Sequence, residues 1–111
     1  MSFLDEPLFF LARPRPGVLD IALLHLGTGR AALLFTREDA ANAHLATLPH
    51  GVGVARAEDL REKEELLQAA LERGAARLWL DAVPDGEPAL TYPTARALAY
   101  IRSFKRQSAC L

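Results

Sequence analysis

Blocks of apolar and polar positions alternate between Ala31 and Asp81. An apolar run ends at Phe35, a polar-apolar mixture follows, a short run holds Val52 and Val54, a longer mixture covers Glu58–Arg73, and a third run closes at Asp81. Apolar runs of four to six residues suit strands, and mixtures with apolar residues three or four apart suit amphipathic helices. The order strand, helix, strand, helix, strand predicts parallel pairing through helical crossovers. Right-handed crossovers would make the strands at about Ala32, Val52 and Leu78 mutually parallel.

The amino-terminal third adds β-structure. Leu8–Leu11 reads as a strand, and Arg13-Pro14-Arg15-Pro16-Gly17 reads as a loop because prolines remove ladder donors. Val18–Leu26 and Arg30–Phe35 flank Gly27-Thr28-Gly29, which predicts a hairpin. Both faces of Val18–Leu26 are apolar except at Asp20 and His25, so cover is expected on both sides of the sheet, from helices on one and in part from a second subunit on the other.

Thr36, with Asp39 three residues on, predicts a capped helix that Pro49 and Gly51 terminate. Gly51 and Gly53 alternate with the valines, which predicts a close approach to the bare side of that strand. Glu58–Arg73 has acids in its first turns and Arg73 in its last, matching the helix dipole, with Asp59–Lys63 and Arg61–Glu65 at i,i+4. Gly74 ends that helix, Arg77–Asp81 is a strand, Val83–Pro88 is a turn, and Pro93–Arg106 is a closing helix. The sum is one α/β (α+β) domain over residues 1–111, a mixed sheet of five to six strands with three helices in the order βββαβαβα.

The 111-residue length suffices for one core, burying roughly two-thirds of the unfolded surface. A net charge of −1, with basic residues spread among as many acids, argues against nucleic acid as a partner. Cys110 is the single cysteine, which rules out an intrachain disulfide and suits a reducing compartment. Without a signal-like amino terminus or a long apolar run, the expected location is the cytoplasm and no membrane partner is expected. Arginine far outnumbers lysine and Asn42 is the single asparagine, a bias that suits a thermophile or a GC-rich genome.

The segment Ala32-Leu33-Leu34-Phe35-Thr36-Arg37-Glu38-Asp39-Ala40, the following Gly-Val strand, the acidic helix ending in Leu71-Glu72-Arg73-Gly74-Ala75, and the aliphatic strand closed by Asp81 together resemble the amino-terminal domain of the SseB-like (enhanced serine sensitivity) proteins. The resemblance spans about residues 23–85 and implies a small α/β domain. It carries no catalytic set. Where those proteins finish the last strand with Asn-Pro, this chain has Asp81, with Pro84 three residues on.

Ligands of parallel sheets favour the carboxyl ends of strands, and Thr36, Arg37, Arg56 and Asp81 each close a predicted strand, so they are the candidate ligand-binding residues. Arginines beside a helix start suit carboxylate or phosphate. The competing reading makes Thr36 a cap, the arginines solvated and Asp81 a turn residue. His25, His44 and His50 have no metal-ligand spacing, and the glycine pairs are not phosphate loops, so neither metal nor cofactor is expected. Arg102, Lys105 and Arg106 complement a helix dipole and, beside Tyr100 and Phe104, could also dock an acidic or nucleic-acid partner. Two functional readings follow: a non-catalytic interaction or regulatory module, with a protein partner or self-association as a homodimer, or an anion or small-metabolite binder or small enzyme using the carboxyl-terminal rim.

Overall fold

The computed structural model describes residues 6–27, 29–48, 50–82 and 90–109, with side chains as far as Phe104 except those of Val18 and Leu26. In chain order these form strands β1 (Leu8–Arg15), β2 (Val18–Ile21), β3 (Leu23–Leu26) and β4 (Gly29–Phe35), helix α1 (Glu38–Leu45), strand β5 (Gly53–Ala57), helix α2 (Leu60–Glu72), strands β6 (Ala75–Leu80) and β7 (Leu90–Pro93), and helix α3 (Thr94–Ala109). The expected class holds, a mixed α and β fold with three helices, but the sheet has seven described strands instead of five or six. One extra strand comes from a break at Ala22 that divides Val18–Leu26; the other is the edge strand β7, antiparallel to β6.

Among the described residues, parallel pairing is confined to β4 and β6, where Ala32 stands opposite Leu78. Strand β5 instead pairs antiparallel with β1, and β1 pairs antiparallel with β4. All three predicted strands therefore run in one sense, but Val54 lies outside the parallel ladder, which corrects the expectation of three co-directional neighbours. The reason is burial: Leu8 and Phe10 point into one core and Leu11 into the other, so this run is apolar on both faces and takes a central place between β4 and β5.

Helices cover both faces, which corrects the expectation of helices on one side. The chain moves one way across the sheet from β4 to β5 and back the other way from β5 to β6, and crossovers of one hand then place α1 and α2 on opposite faces. On the α1 face, Ala41 packs with Leu11, Leu33 and Phe35. On the other face, Leu66, Leu67 and Ala70 of α2 and Leu98 and Ile101 of α3 pack on Phe10, Leu34, Leu78 and Leu80. Each fully buried leucine contributes about 1.5–3 kcal/mol of transfer free energy.

Asp59 caps α2, accepting from the Glu62 N–H at 2.8 Å while the Glu62 carboxylate returns to the Asp59 N–H. Lys63, placed i,i+4 from Asp59, is fully buried, and its Nζ donates to the Glu6 carbonyl at 2.7 Å. One turn on from Asp59, it falls on the same face as Leu66, Leu67 and Ala70, and the chain before β1 supplies its acceptor. Gly51 has φ +95, a conformation that favours glycine. A Cβ at Gly53 would meet nothing within 4 Å, so the expected close approach there is absent.

Most of the expected Arg13–Gly17 loop is strand. Arg15 pairs with Val18, so Pro16 and Gly17 (φ +69) make the turn. Pro14 fits because ladder donors alternate sides: its missing N–H would point away from β2, toward a side where β5 has already ended at Gly53. The predicted hairpin is present with a shorter turn, since Gly29 already belongs to β4 opposite Leu26; Thr28 in that turn lies outside the described residues. Pro49, the Val83–Pro88 turn, Cys110 and the side chains of Lys105 and Arg106 also lie outside them. Among the described residues of α3, Arg102 bonds Gln68 and Glu64 of α2, and Tyr100 and Phe104 are exposed. No helix of the described residues is long and apolar enough to cross a membrane.

Candidate functional site

The four candidate residues share one end of the sheet, since Phe9 stands between Phe35 at the end of β4 and Arg56 near the end of β5. Two of them meet. Thr36 donates its N–H to Asp81 Oδ1 and its hydroxyl to Asp81 Oδ2, both at 2.8 Å, while the Asp81 N–H extends the parallel ladder to the Leu34 carbonyl at 2.9 Å. This clasp needs Asp81 at φ +53, a left-handed conformation that aspartate tolerates better than most residues. Thr36 is consequently not the helix cap. Arg37 occupies the N-cap of α1 without a side-chain cap bond, because the hydroxyl that would have served is committed to Asp81.

The two arginines do not join the clasp. Arg37 forks onto Asp39, two residues on, and the guanidinium holds the Asp39 carboxyl below its ordinary value. Arg56 pairs with Glu58, and the side chains of both pairs are more than half exposed. Each charge is answered locally, on its own segment.

A second constellation lies at the opposite end of β4. There β1 and β4 diverge, and the β2–β3 corner sits in the fork. Ala22 donates to the Leu11 carbonyl at 2.7 Å, β2 then follows the inner edge of β1, and β3 follows the inner edge of β4. The fork opens an aqueous concavity of about 450 Å³ lined by Arg13 and Arg15 of β1, Asp20 to Leu23 and His25 of the corner, Arg30 of β4, Leu48 and Val52, and Arg73 at the end of α2. It is reached from both faces of the sheet. Strand alternation puts Arg13 with Phe9 and Leu11 on the α1 face, and Arg30 with Ala32 and Leu34 on the α2 face.

Asp20 organises the cationic wall. Its residue is only 8% exposed; Arg73 reaches it around the free edge of β2, and Arg15 Nε pairs with its other oxygen at 3.0 Å. The Arg73 hydrogen bond, followed by the charges of Arg73, Arg15 and Arg13, holds the Asp20 carboxyl below its ordinary value against the opposing effect of burial. Arg30 donates Nη1 to the Arg73 carbonyl at 2.8 Å, which supports the last turn of α2 and leaves its charge unneutralised. Among the described residues, neither Arg13 nor Arg30 has a carboxylate partner. Four guanidinium groups against one carboxylate thus give the lining an excess of three positive charges.

None of these five residues was a candidate on sequence grounds. One signal was available: Asp20 is the single acid in the apolar run Val18–Leu26, and an acid buried in a strand requires cationic partners. Among the described residues, no group of three or more His, Cys, Asp or Glu side chains is placed to hold a metal. No protein-family model and no curated protein matches this chain.

Proposed function

We propose that the chain is a recognition module that acts by binding, and that the group it takes up is an anion held in the arginine-lined fork. The observation that carries this reading is the convergence of Arg13, Arg15, Arg30 and Arg73, from three separate elements, on one concavity in a chain whose net charge is −1. Guanidinium groups stay charged at every physiological pH and present forked donors to carboxylate or phosphate, which makes them binding groups and poor proton shuttles. The one carboxylate in the lining is already committed to two of them. The kinship with the SseB-like amino-terminal domains belongs to the same proposal, since β3 to β6 with α1 and α2 span the residues that carry it.

Calorimetric titration with citrate and with inorganic phosphate tests the reading. Saturable binding that weakens with added salt is expected, with an affinity loss of about tenfold when both Arg13→Gln and Arg30→Gln are introduced. Absence of binding to either probe, or an unchanged affinity in the double variant, overturns it.

A further inference from the structure

The fork exposes something besides arginines. In a two-residue hairpin the closing pair exchanges hydrogen bonds, and the pattern then alternates along the strands. Arg15 with Val18 closes one hairpin and Leu26 with Gly29 closes the other, so Leu19 and Ile21 of β2, and Leu23 and His25 of β3, aim their N–H and C=O groups away from β1 and β4. They aim into the fork. Each of β2 and β3 has one ladder partner among the described residues, so these inner edges present alternating donors and acceptors at strand spacing.

Resting on the reading of the fork as an anion site, we infer that the anion is carried by an acidic segment of a partner polypeptide, which binds extended along the inner edge of β3 with two successive carboxylates on opposite faces of the sheet. An extended chain fits because it offers the same alternating donors and acceptors as the edge at Leu23 and His25. A phosphodiester group offers acceptors only, and a free phosphate ion is too small to follow the edge from Leu23 to His25. The requirement for two adjacent acids follows from the placement of the cations: neighbouring residues of a strand point to opposite faces, one toward Arg13 on the α1 face and the next toward Arg30 on the α2 face. Ile21, Ala22, Leu48 and Val52 in the lining suit the aliphatic residues that would flank such a pair. Asp20 keeps Arg15 and Arg73 fixed behind the site and the Arg73 carbonyl holds Arg30, so of the four the partner need order only Arg13.

The test is a titration of the whole chain, followed by calorimetry and amide exchange, with the peptide acetyl-Thr-Val-Glu-Glu-Val-Thr-amide. Three probes run beside it: the same peptide with Gln for both Glu, the same peptide N-methylated at alternate residues, and inorganic phosphate. The acidic peptide is expected to bind and to slow exchange of the Leu23 and His25 amides. The glutamine and N-methylated forms are each expected to bind about tenfold more weakly, and Arg13→Gln or Arg30→Gln alone to weaken the acidic peptide by a similar factor. If phosphate binds at the fork and the acidic peptide does not, or if N-methylation leaves affinity unchanged, the polypeptide inference falls and the anion reading stands. If a single-stranded oligonucleotide displaces the peptide at lower concentration than the peptide's own, the partner class is wrong. If neither phosphate nor peptide binds, both proposals fall together.

Discussion

The two ends of β4 hold similar ingredients in opposite arrangements. At the carboxyl end, Arg37 and Arg56 find their acids two residues away, and Asp81 is consumed by both donors of Thr36. At the amino end, Arg13, Arg15, Arg30 and Arg73 come from distant parts of the chain and line one concavity around a buried acid that pairs with only Arg15 and Arg73. Charges neutralised by sequence neighbours leave no unspent attraction for a ligand, whereas charges brought together by the fold do. The Thr36–Asp81 pair is therefore a structural clasp, and the amino-end arrangement is the one in which two arginines, Arg13 and Arg30, have no carboxylate partner among the described residues.

The largest effect on stability should come from the clasp. Asp81→Ala removes two hydrogen bonds to a charged group and puts alanine at φ +53, so a loss of about 2–3 kcal/mol is expected from denaturant unfolding. Asp81→Asn tolerates the same backbone and keeps an acceptor for Thr36, so about half that loss is expected. Because the clasp joins β4 to β6 and stands away from the fork, neither variant should change citrate affinity. A coupled loss of affinity would mean that the two ends are not independent.

A smaller, pH-dependent effect should mark Asp20. Its folded-state carboxyl lies below the ordinary value of 3.8, so the stability it contributes is fully present above that value and is lost as pH falls through the lower folded-state one. Urea midpoints of the wild type and Asp20→Asn should therefore differ at neutral pH and converge in acid below that window. A difference that stays constant down to the acid limit would show that Asp20 acts through shape and not through its charge. Asp20→Asn should also loosen Arg15 and Arg73 and alter anion affinity, which Asp81→Asn should not.

The contrast between the two ends also explains what was legible in the sequence. Helix α2 is legible over nearly its full length because its signals are local: Glu58, Asp59 and Glu62 crowd its first turns, Arg73 stands at its end, and Leu66, Leu67 and Ala70 fall at helical spacing. The Leu26–Gly29 hairpin was legible from its glycines for the same reason. Strand β7 was not, because four residues beside a turn-rich stretch become a strand only through β6. The fork escaped notice for two reasons. Pro14 and Pro16 made Arg13 and Arg15 look like loop residues, and nothing in the apolar stretch Ile21–Leu24 marks Ala22 as the corner. Arg13, Arg30 and Arg73 are far apart along the chain, so their convergence exists only in three dimensions. The carboxyl-end candidates were visible because their strands end where the hydrophobic pattern ends, but pattern alone could not show that their charges were already answered.

The smallest expected effects complete the comparison. Arg37→Ala and Arg56→Ala each remove one member of an exposed pair between near neighbours, and such pairs contribute about 0.2–1 kcal/mol before salt screening. Each variant should unfold within about 0.5 kcal/mol of the wild type at moderate salt and bind citrate with unchanged affinity. The informative result is a discrepancy between the two readouts: if Arg56→Ala leaves stability intact but abolishes anion binding, the carboxyl end is the site after all. The fork would then be a structural device in which three arginines hold Asp20 and the last turn of α2 in place.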